Sequence, residues 1–376
     1  MVILYSFINV HEIERIGIMA EGKFEIKDFL KRAVATGASD EHLLIGQQPF
    51  IRKNGVMKRI VGPTVTLTTI ANILLEIAPF QVQQELSNSK DVDFIYEIPG
   101  VSRFRVNYSR RLGGPSLVFR NIPYSIPSVE KLGLPPVLNT FAKYQNGLVI
   151  VVGPTGSGKS TSLAAVINEI NINEPKNIIT LEEPIEYIYE CKKSMVSQRQ
   201  IGVDTETFAN GVKYALRQDP DVIFVGEIRD METMDAALKA AETGHLVFAT
   251  LHTNDAVQTI NRIINMFDET HRALARKRVA ETLRATVAQK LVYSAQHDKR
   301  FPVCEVMIVT STIKDYILKA DTEEIYKLIA SNQSEGMCSL NQSLAALVGQ
   351  GLISADEAMA NSNDVNELSK ILRGVY

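Results

Sequence analysis

Apolar and polar positions change their pattern near the middle of the chain. In the first part, Phe24, Ile26, Phe29, Leu30 and Val34 recur at helical spacing, and Asp40–Ile45 and Phe50–Arg52 read as short strands. Lys53-Asn54-Gly55 supplies a tight turn, and Leu67–Ile77 is predicted as a helix capped by Thr66 or Thr68. Asp93–Ile98, Ser102–Tyr108 and Ser116–Arg120 read as three more strands, punctuated by Pro99-Gly100 and Gly113-Gly114-Pro115. This is an α+β pattern with an antiparallel sheet. From Tyr144 onward, strands alternate with helices: Leu148–Val152, Asn177–Leu181, Val222–Val225 and Leu246–Leu251 are apolar runs with helical stretches between them. Such alternation implies an α/β fold with a parallel sheet covered on both faces. After Arg272 the chain is expected to turn helical, over Leu274–Leu291, Ser311–Lys319, Thr322–Ala330, Ser339–Val348 and Ser354–Ala360.

These elements set the expected domains. Residues 1–18 are either an extension or the product of an upstream start codon, because Met19 opens a more conventional soluble beginning. A first domain covers 19–122. Residues 123–136 hold Pro123, Pro127, Gly133, Pro135 and Pro136 and read as a linker. The second domain covers 137–376, with a helical region over 272–376. No internal repeat or low-complexity segment is evident.

At 376 residues, 45% hydrophobic and 22% charged, the chain has the composition of an ordinary globular protein with room for a sizeable core. A net charge of -3 gives no bulk signal for nucleic acid. Cys191, Cys304 and Cys338 form no C-x-x-C pair, which argues against structural zinc and favours small buried hydrophobes in a reducing compartment. The apolar run Met1–Val10 is too short to span a bilayer, and it lacks the basic start and small-residue cleavage site of a signal peptide. The expected location is cytoplasmic.

One stretch organises the rest. Gly153-Pro154-Thr155-Gly156-Ser157-Gly158-Lys159-Ser160 is a complete G-x-x-x-x-G-K-[ST] phosphate loop between an apolar strand and a helix-forming run. Its glycines let consecutive N–H groups turn toward phosphate oxygens at a helix N-terminus. Lys159 is placed to reach the β- and γ-phosphates and Ser160 to ligate Mg²⁺, and Thr161 completes the candidate nucleotide-binding set. The expected ligands are ATP and Mg²⁺.

Hydrolysis needs a carboxylate as well. The run Asp219–Asp230 carries an apolar strand ending in Gly226-Glu227, which puts Glu227 at the carboxyl edge of the sheet as general base or indirect Mg²⁺ ligand. The alternative, a helix-start carboxylate held by the dipole, loses to this reading beside a phosphate loop. Thr180–Glu186 lands Glu182 and Glu183 at the same edge, where a solvated acidic turn is the competing reading. Gly244–Thr253 brackets a strand with two histidines: His252 at its end is a candidate γ-phosphate contact, and His245 reads as structural or interfacial. No third ligand of suitable spacing accompanies them, which argues against zinc.

In this order, the phosphate loop, the acidic box, the Asp221–Glu227 segment and the histidine box resemble the secretion-superfamily hexameric ATPases, and within them the type IV pilus retraction ATPases of the PilT/PilU family. The likeness runs from about Met19 to Leu372 and includes Ala38-Ser39-Asp40, Phe104-Arg105-Val106-Asn107 and Gln198-Arg199. It implies a PAS-like α+β domain followed by a RecA-like ATPase domain, a ring of six, and nucleotide between the domains. It assigns Glu227, Glu182 and His252 to catalysis, Lys159 and Ser160 to phosphate and Mg²⁺, and Arg105 and Arg120, with Arg103 a weaker match, to the nucleotide. For each arginine an exposed surface ion pair is the other reading.

The departures from the family are specific. Glu182-Glu183-Pro184 stands where the family has Glu-Asp-Pro. Thr312–Lys319 replaces the retraction motif Ala-Ile-Arg-Asn-Leu-Ile-Arg-Glu. The tail from Glu323 through Ile353 resembles PilU more closely, and the tetracysteine motif of extension ATPases is missing. The function implied is an Mg²⁺-ATPase motor for pilus retraction, a homo-hexamer working with an inner-membrane platform protein and with a paralogous ATPase as a further partner. It would touch the membrane only through that machinery. A secretion or conjugation ATPase, a weakly hydrolysing accessory subunit and, more distantly, a nucleic-acid translocase are the rivals.

Overall fold

The structure is a computed structural model that describes residues 24–122 and 125–374. The expected extension over 1–18, the run Met1–Val10, the domain start at Met19 and the head of the linker at Pro123 lie outside those residues. The chain forms two compact units, Met1–Tyr124 and Ser125–Tyr376.

In the first unit, helix α1 (Ile26–Ala35) buries Ile26, Leu30 and Ala33, one face of a helical repeat. Strands β1 (Asp40–Leu44), β2 (Phe50–Lys53) and β3 (Val56–Arg59) follow, then helices α2 (Leu67–Ile77) and α3 (Phe80–Asn88), then β4 (Asp91–Ile98), β5 (Ser102–Arg111) and β6 (Gly114–Ile122). The sheet order is β3-β2-β1-β6-β5-β4, and every pairing is antiparallel. Thr66, not Thr68, caps α2: its hydroxyl accepts from the Thr69 N–H at 3.1 Å. Strand β3, the partner that the Lys53-Asn54-Gly55 turn implies, has all four residues exposed and carries no apolar alternation. Along β5, Phe104 and Val106 point inward between outward Arg103, Arg105 and Asn107, as a half-buried strand requires.

Glu41 places a carboxyl at an inward position of this sheet. Glu41 is 0% exposed, and neither carboxyl oxygen has a hydrogen-bond partner among the described residues. Burial first, and then the neighbouring Asp40 charge, push its carboxyl up to about 8.

The second unit begins with short helices α4 (Val129–Leu132) and α5 (Leu138–Phe141), so residues of the expected linker, Val129 and Leu134, already lie in its core. Strand β7 (Gly147–Val152), helix α6 (Lys159–Asn173), strands β8 (Asn177–Glu182) and β9 (Met195–Gln200), helix α7 (Phe208–Ala215), strand β10 (Val222–Val225), helix α8 (Met231–Glu242), strand β11 (Leu246–Leu251) and helices α9 (Ala256–Asn265) and α10 (Arg272–Thr282) come next. Then follow β12 (Leu283–Ser294), β13 (Lys299–Ile308), and helices α11 (Ser311–Lys319), α12 (Glu323–Ser331), α13 (Leu340–Gly349), α14 (Ala355–Ala360) and α15 (Val365–Leu372). The sheet order is β13-β12-β7-β11-β10-β8-β9, parallel except for the β12–β13 pair.

Both faces of this sheet are covered. Leu148, Ile150 and Val152 of β7 join one core with α8, α9 and α10, while Val149 and Val151 join another with α6. Among the described residues no helix is long and apolar enough to cross a membrane.

Two expectations need correction. The helix expected over Leu274–Leu291 ends at Thr282, and the region expected to be helical after Arg272 holds two strands, β12 from Leu283 and β13 from Lys299. Leu283, Val287 and Leu291 are spaced by four, which is one face of a helix but also one face of a strand. The edge of β7 decides, because β12 completes the sheet there. The second correction is Cys191, which is exposed, whereas Cys304 is buried and Cys338 partly so.

The Glu41 carboxyl yields a prediction with a definite sign. A folded-state value raised from 4.5 to about 8 means that stability is fully present below 4.5 and is lost as pH rises through 8. Replacing Glu41 by Met is expected to stabilise the chain by on the order of 3 kcal/mol at pH 7 and by much less at pH 4.5. Urea unfolding of both proteins at the two pH values measures this; a gap that does not widen with pH refutes it.

Candidate active site

The parallel order fixes where chemistry can collect. Strands β7, β11, β10 and β8 are consecutive neighbours, with Leu251 opposite Val152, and Val225 opposite both Ala249 and Leu181. Their carboxyl ends therefore deliver, side by side, the phosphate loop, His252, Glu227 and Glu182. Segments separated by up to a hundred residues in sequence meet along one edge, where open α/β sheets bind ligands.

The loop leaves β7 at Gly153, whose φ of 143° is open to glycine. A Cβ there would sit 2.1 Å from the carbonyl oxygen of Gln289. Helix α6 starts at Lys159 and runs fifteen residues, so its unpaired N–H groups face the loop. Lys159 is buried, and its Nζ donates to the carbonyls of Gly153 at 2.8 Å and Pro154 at 3.1 Å. Burial lowers its pKa, opposed by Glu227 and Glu186. The Ser157 hydroxyl is buried without a partner among the described residues. A tightly curled loop, an ammonium bonded only to carbonyls and an orphaned hydroxyl together fit a phosphate chain. The Thr161 hydroxyl pairs with the Tyr187 hydroxyl at 3.1 Å, and Ser160 sits in the first turn of α6.

Glu227 is the hub of a charged row. Its Oε1 lies 3.0 Å from His252 Nε2, and its Oε2 accepts from Arg229 Nη2 at 2.8 Å. The other arm of Arg229, Nη1, donates to Glu183 Oε2 at 2.7 Å. Burial raises the Glu227 pKa, but Arg229, His252 and Lys159 outweigh it and hold the carboxyl below its ordinary value. Gly226 lets β10 end against β8: a Cβ there would meet the Leu181 carbonyl oxygen at 3.0 Å.

Glu182 behaves differently. Its side chain is buried, accepting from Thr180 Oγ1 at 2.7 Å and Gln198 Nε2 at 3.2 Å, and burial pushes its pKa up to about 6. The two acids of the box thus split, Glu182 inward and Glu183 outward to Arg229. His245, at the opposite strand end, has its Nδ1 3.0 Å from the Ala240 carbonyl oxygen. Asp230 caps α8 by accepting from the Thr233 N–H at 2.7 Å.

Arg105 and Arg120 belong to the first unit, directly opposite each other on β5 and β6. Arg105 pairs with Asp93 at 3.5 Å, Arg120 with Asp40 at 2.9 Å and Arg103 with Glu97 at 3.8 Å. Within that unit they make the ion pairs of the competing reading.

Sequence reading missed Gln289 and the role of Arg229. Gln289 lies on β12, read as helix, so nothing placed it beside the loop. Arg229 stood inside the quoted Asp219–Asp230 run, two residues from Glu227, and the outward alternation after the strand was the available signal. Among the described residues no group of three or more His, Cys, Asp or Glu forms a metal cage.

Residues 23–301 match the family described as Type II/IV secretion system protein. The chain is 39% identical to the type IV pilus retractation ATPase PilT of Pseudomonas aeruginosa over 334 residues, covering 89% of this chain and 97% of that one. It is 38% identical to the type IV pilus ATPase PilU of the same organism over 355 residues, covering 93% and 91%. A crystal structure of the pilus retraction motor PilT with bound ADP superposes with a TM-score of 0.83 at 39% identity, covering 92% of this chain and 99% of that one. The chain belongs to the Type II/IV secretion system protein family, and within it to the group of PilT and PilU.

Proposed function

We propose that this chain is an ATP-hydrolysing motor that powers type IV pilus retraction. One observation carries the reading: neighbouring strands deliver the phosphate loop, His252 and Glu227 to a single edge, in a chain similar along most of its length to PilT and PilU. The finer assignments belong to the same proposal. They comprise Mg²⁺, a homo-hexameric ring, an inner-membrane platform protein and a paralogous ATPase as partners, a cytoplasmic location, and a division into domains at 19–122 and 137–376. The roles of Arg105 and Arg120 rest on the likeness of their sequence segments.

The chemistry follows from the side chains. Lys159 exchanges the carbonyls of Gly153 and Pro154 for phosphate oxygens, and the N–H groups at the start of α6 take the remaining charge. Ser160 and Glu227 are the residues that would hold Mg²⁺, which would supply charge neutralisation for the phosphate chain. Glu227, ionised through its contact with Arg229, accepts a hydrogen bond from the attacking water and orients it in line. His252 stands beside it to donate to the γ-phosphate as charge spreads there. Glu182, held inward by Thr180 and Gln198, fixes the end of β8.

Two substitutions test this mechanism. Glu227→Gln is expected to retain ATP binding and lower turnover about 10²-fold or more, measured on the hexamer-sized fraction from a sizing column. Undiminished turnover removes Glu227 from its role. Arg229→Met takes away the guanidinium that holds the Glu227 pKa down, so the carboxylate protonates at higher pH and the acid limb of kcat/KM moves upward. A pH profile carried down through the acid limb of the wild-type enzyme, with that limb unmoved in the variant, contradicts the assignment.

A further inference from the structure

The phosphate loop is braced from outside its own segment, by one residue of β12. Gln289 is 4% exposed. Its Nε2 donates to the Ser157 carbonyl oxygen at 2.7 Å, and its Oε1 accepts from the Ser162 hydroxyl at 2.7 Å. Its backbone carbonyl oxygen is the atom that a Gly153 Cβ would strike, and its Nε2 stands 3.0 Å from where a Gly158 Cβ would be. One side chain and its own backbone thus touch the loop at its start, at its crown and in the first turn of α6.

The geometry points to Gln289 as the positioning residue of the phosphate loop, an inference that rests on the phosphate-binding reading of that loop. A peptide unit is planar and trans, so its C=O and N–H point in opposite directions. By holding the Ser157 carbonyl toward β12, the Gln289 amide turns the Gly158 N–H of the same peptide away from β12, toward the ligand side. By accepting from Ser162 it ties that peptide to the helix whose N-terminus faces the phosphates. The loop is therefore set before nucleotide arrives, and the ordering that binding would otherwise require is already done.

The same strand supplies its own control. Lys290, the next residue, points the other way and donates from Nζ to the Asn361 carbonyl, at the junction of α14 and α15. Lys290→Met loosens β12 without touching the loop, whereas Gln289→Met removes both loop contacts in a side chain of similar size.

Both variants and the wild-type chain are tested with a fluorescent ADP analogue, with steady-state ATP turnover, and with hydrogen exchange in residues 155–160. Gln289→Met is expected to weaken ADP tenfold or more, raise KM for ATP by a similar factor with kcat lowered less than threefold, and speed exchange in the loop. Lys290→Met is expected to lower the thermal midpoint while leaving ADP affinity within twofold. Gln289→Asn, one methylene too short to reach Ser157, repeats the binding defect and serves if the Met variant does not fold. ADP affinity within twofold of wild type in the folded Gln289 variants overturns the inference. Equal weakening in Lys290→Met overturns it too, since the effect would then belong to strand stability. Failure of wild-type protein to bind ADP, or undiminished binding in Lys159→Ala, instead overturns the phosphate-loop reading beneath it.

Discussion

A parallel strand buried on both faces has no side on which a charge can rest, so its chemistry is displaced to its ends. In the second unit this constraint governs everything else. Leu148 through Val152 are wholly apolar because α6 covers one face and α8, α9 and α10 the other. The polar residues that follow β7, β11, β10 and β8 are then forced into one row, in the order that hydrogen bonding gives the strands. Within that row, spacing is fixed by strand separation, ~4.8 Å, and not by distance along the chain. Glu227 and His252 meet at 3.0 Å because β10 and β11 are neighbours.

The row also gives a physical account of the altered acidic box. A carboxylate one methylene longer than the family's aspartate reaches Arg229 at 2.7 Å while the same guanidinium holds Glu227. Both pairs are partly open to water, so neither contributes much stability. Their effect is on direction and charge: Arg229 is fixed from two sides, and Glu227 stays ionised.

What the sequence revealed follows the range of the interaction. The phosphate loop, a threonine cap ahead of Leu67, the Asn54-Gly55 turn and the apolar strand before Gly226-Glu227 are contiguous signals, and each has its element in the structure. Strand β12 was illegible because spacing by four serves helix and strand alike, and only the open edge of β7 selects between them. With β12 went Gln289, whose partners Ser157 and Ser162 lie more than a hundred residues upstream. Glu41 was hidden because it stands between Asp40 and His42 in a polar start to the strand, and only the packed sheet shows it turned inward. The Arg105 and Arg120 contacts with Asp93 and Asp40 needed strand register, which composition does not contain.

The resting place of Lys159 has a kinetic consequence. Its ammonium is bonded to two carbonyls of its own loop, so on the proposed reading a phosphate would exchange with bonds that the loop already makes. Without those carbonyls the buried cation would stand unpartnered, a state that would cost several kcal/mol. A machine that works in cycles is limited by its slowest exit as much as by its chemistry. In the proposed motor the internal carbonyls would act as a return spring, giving up some affinity for ligand so that the site can empty.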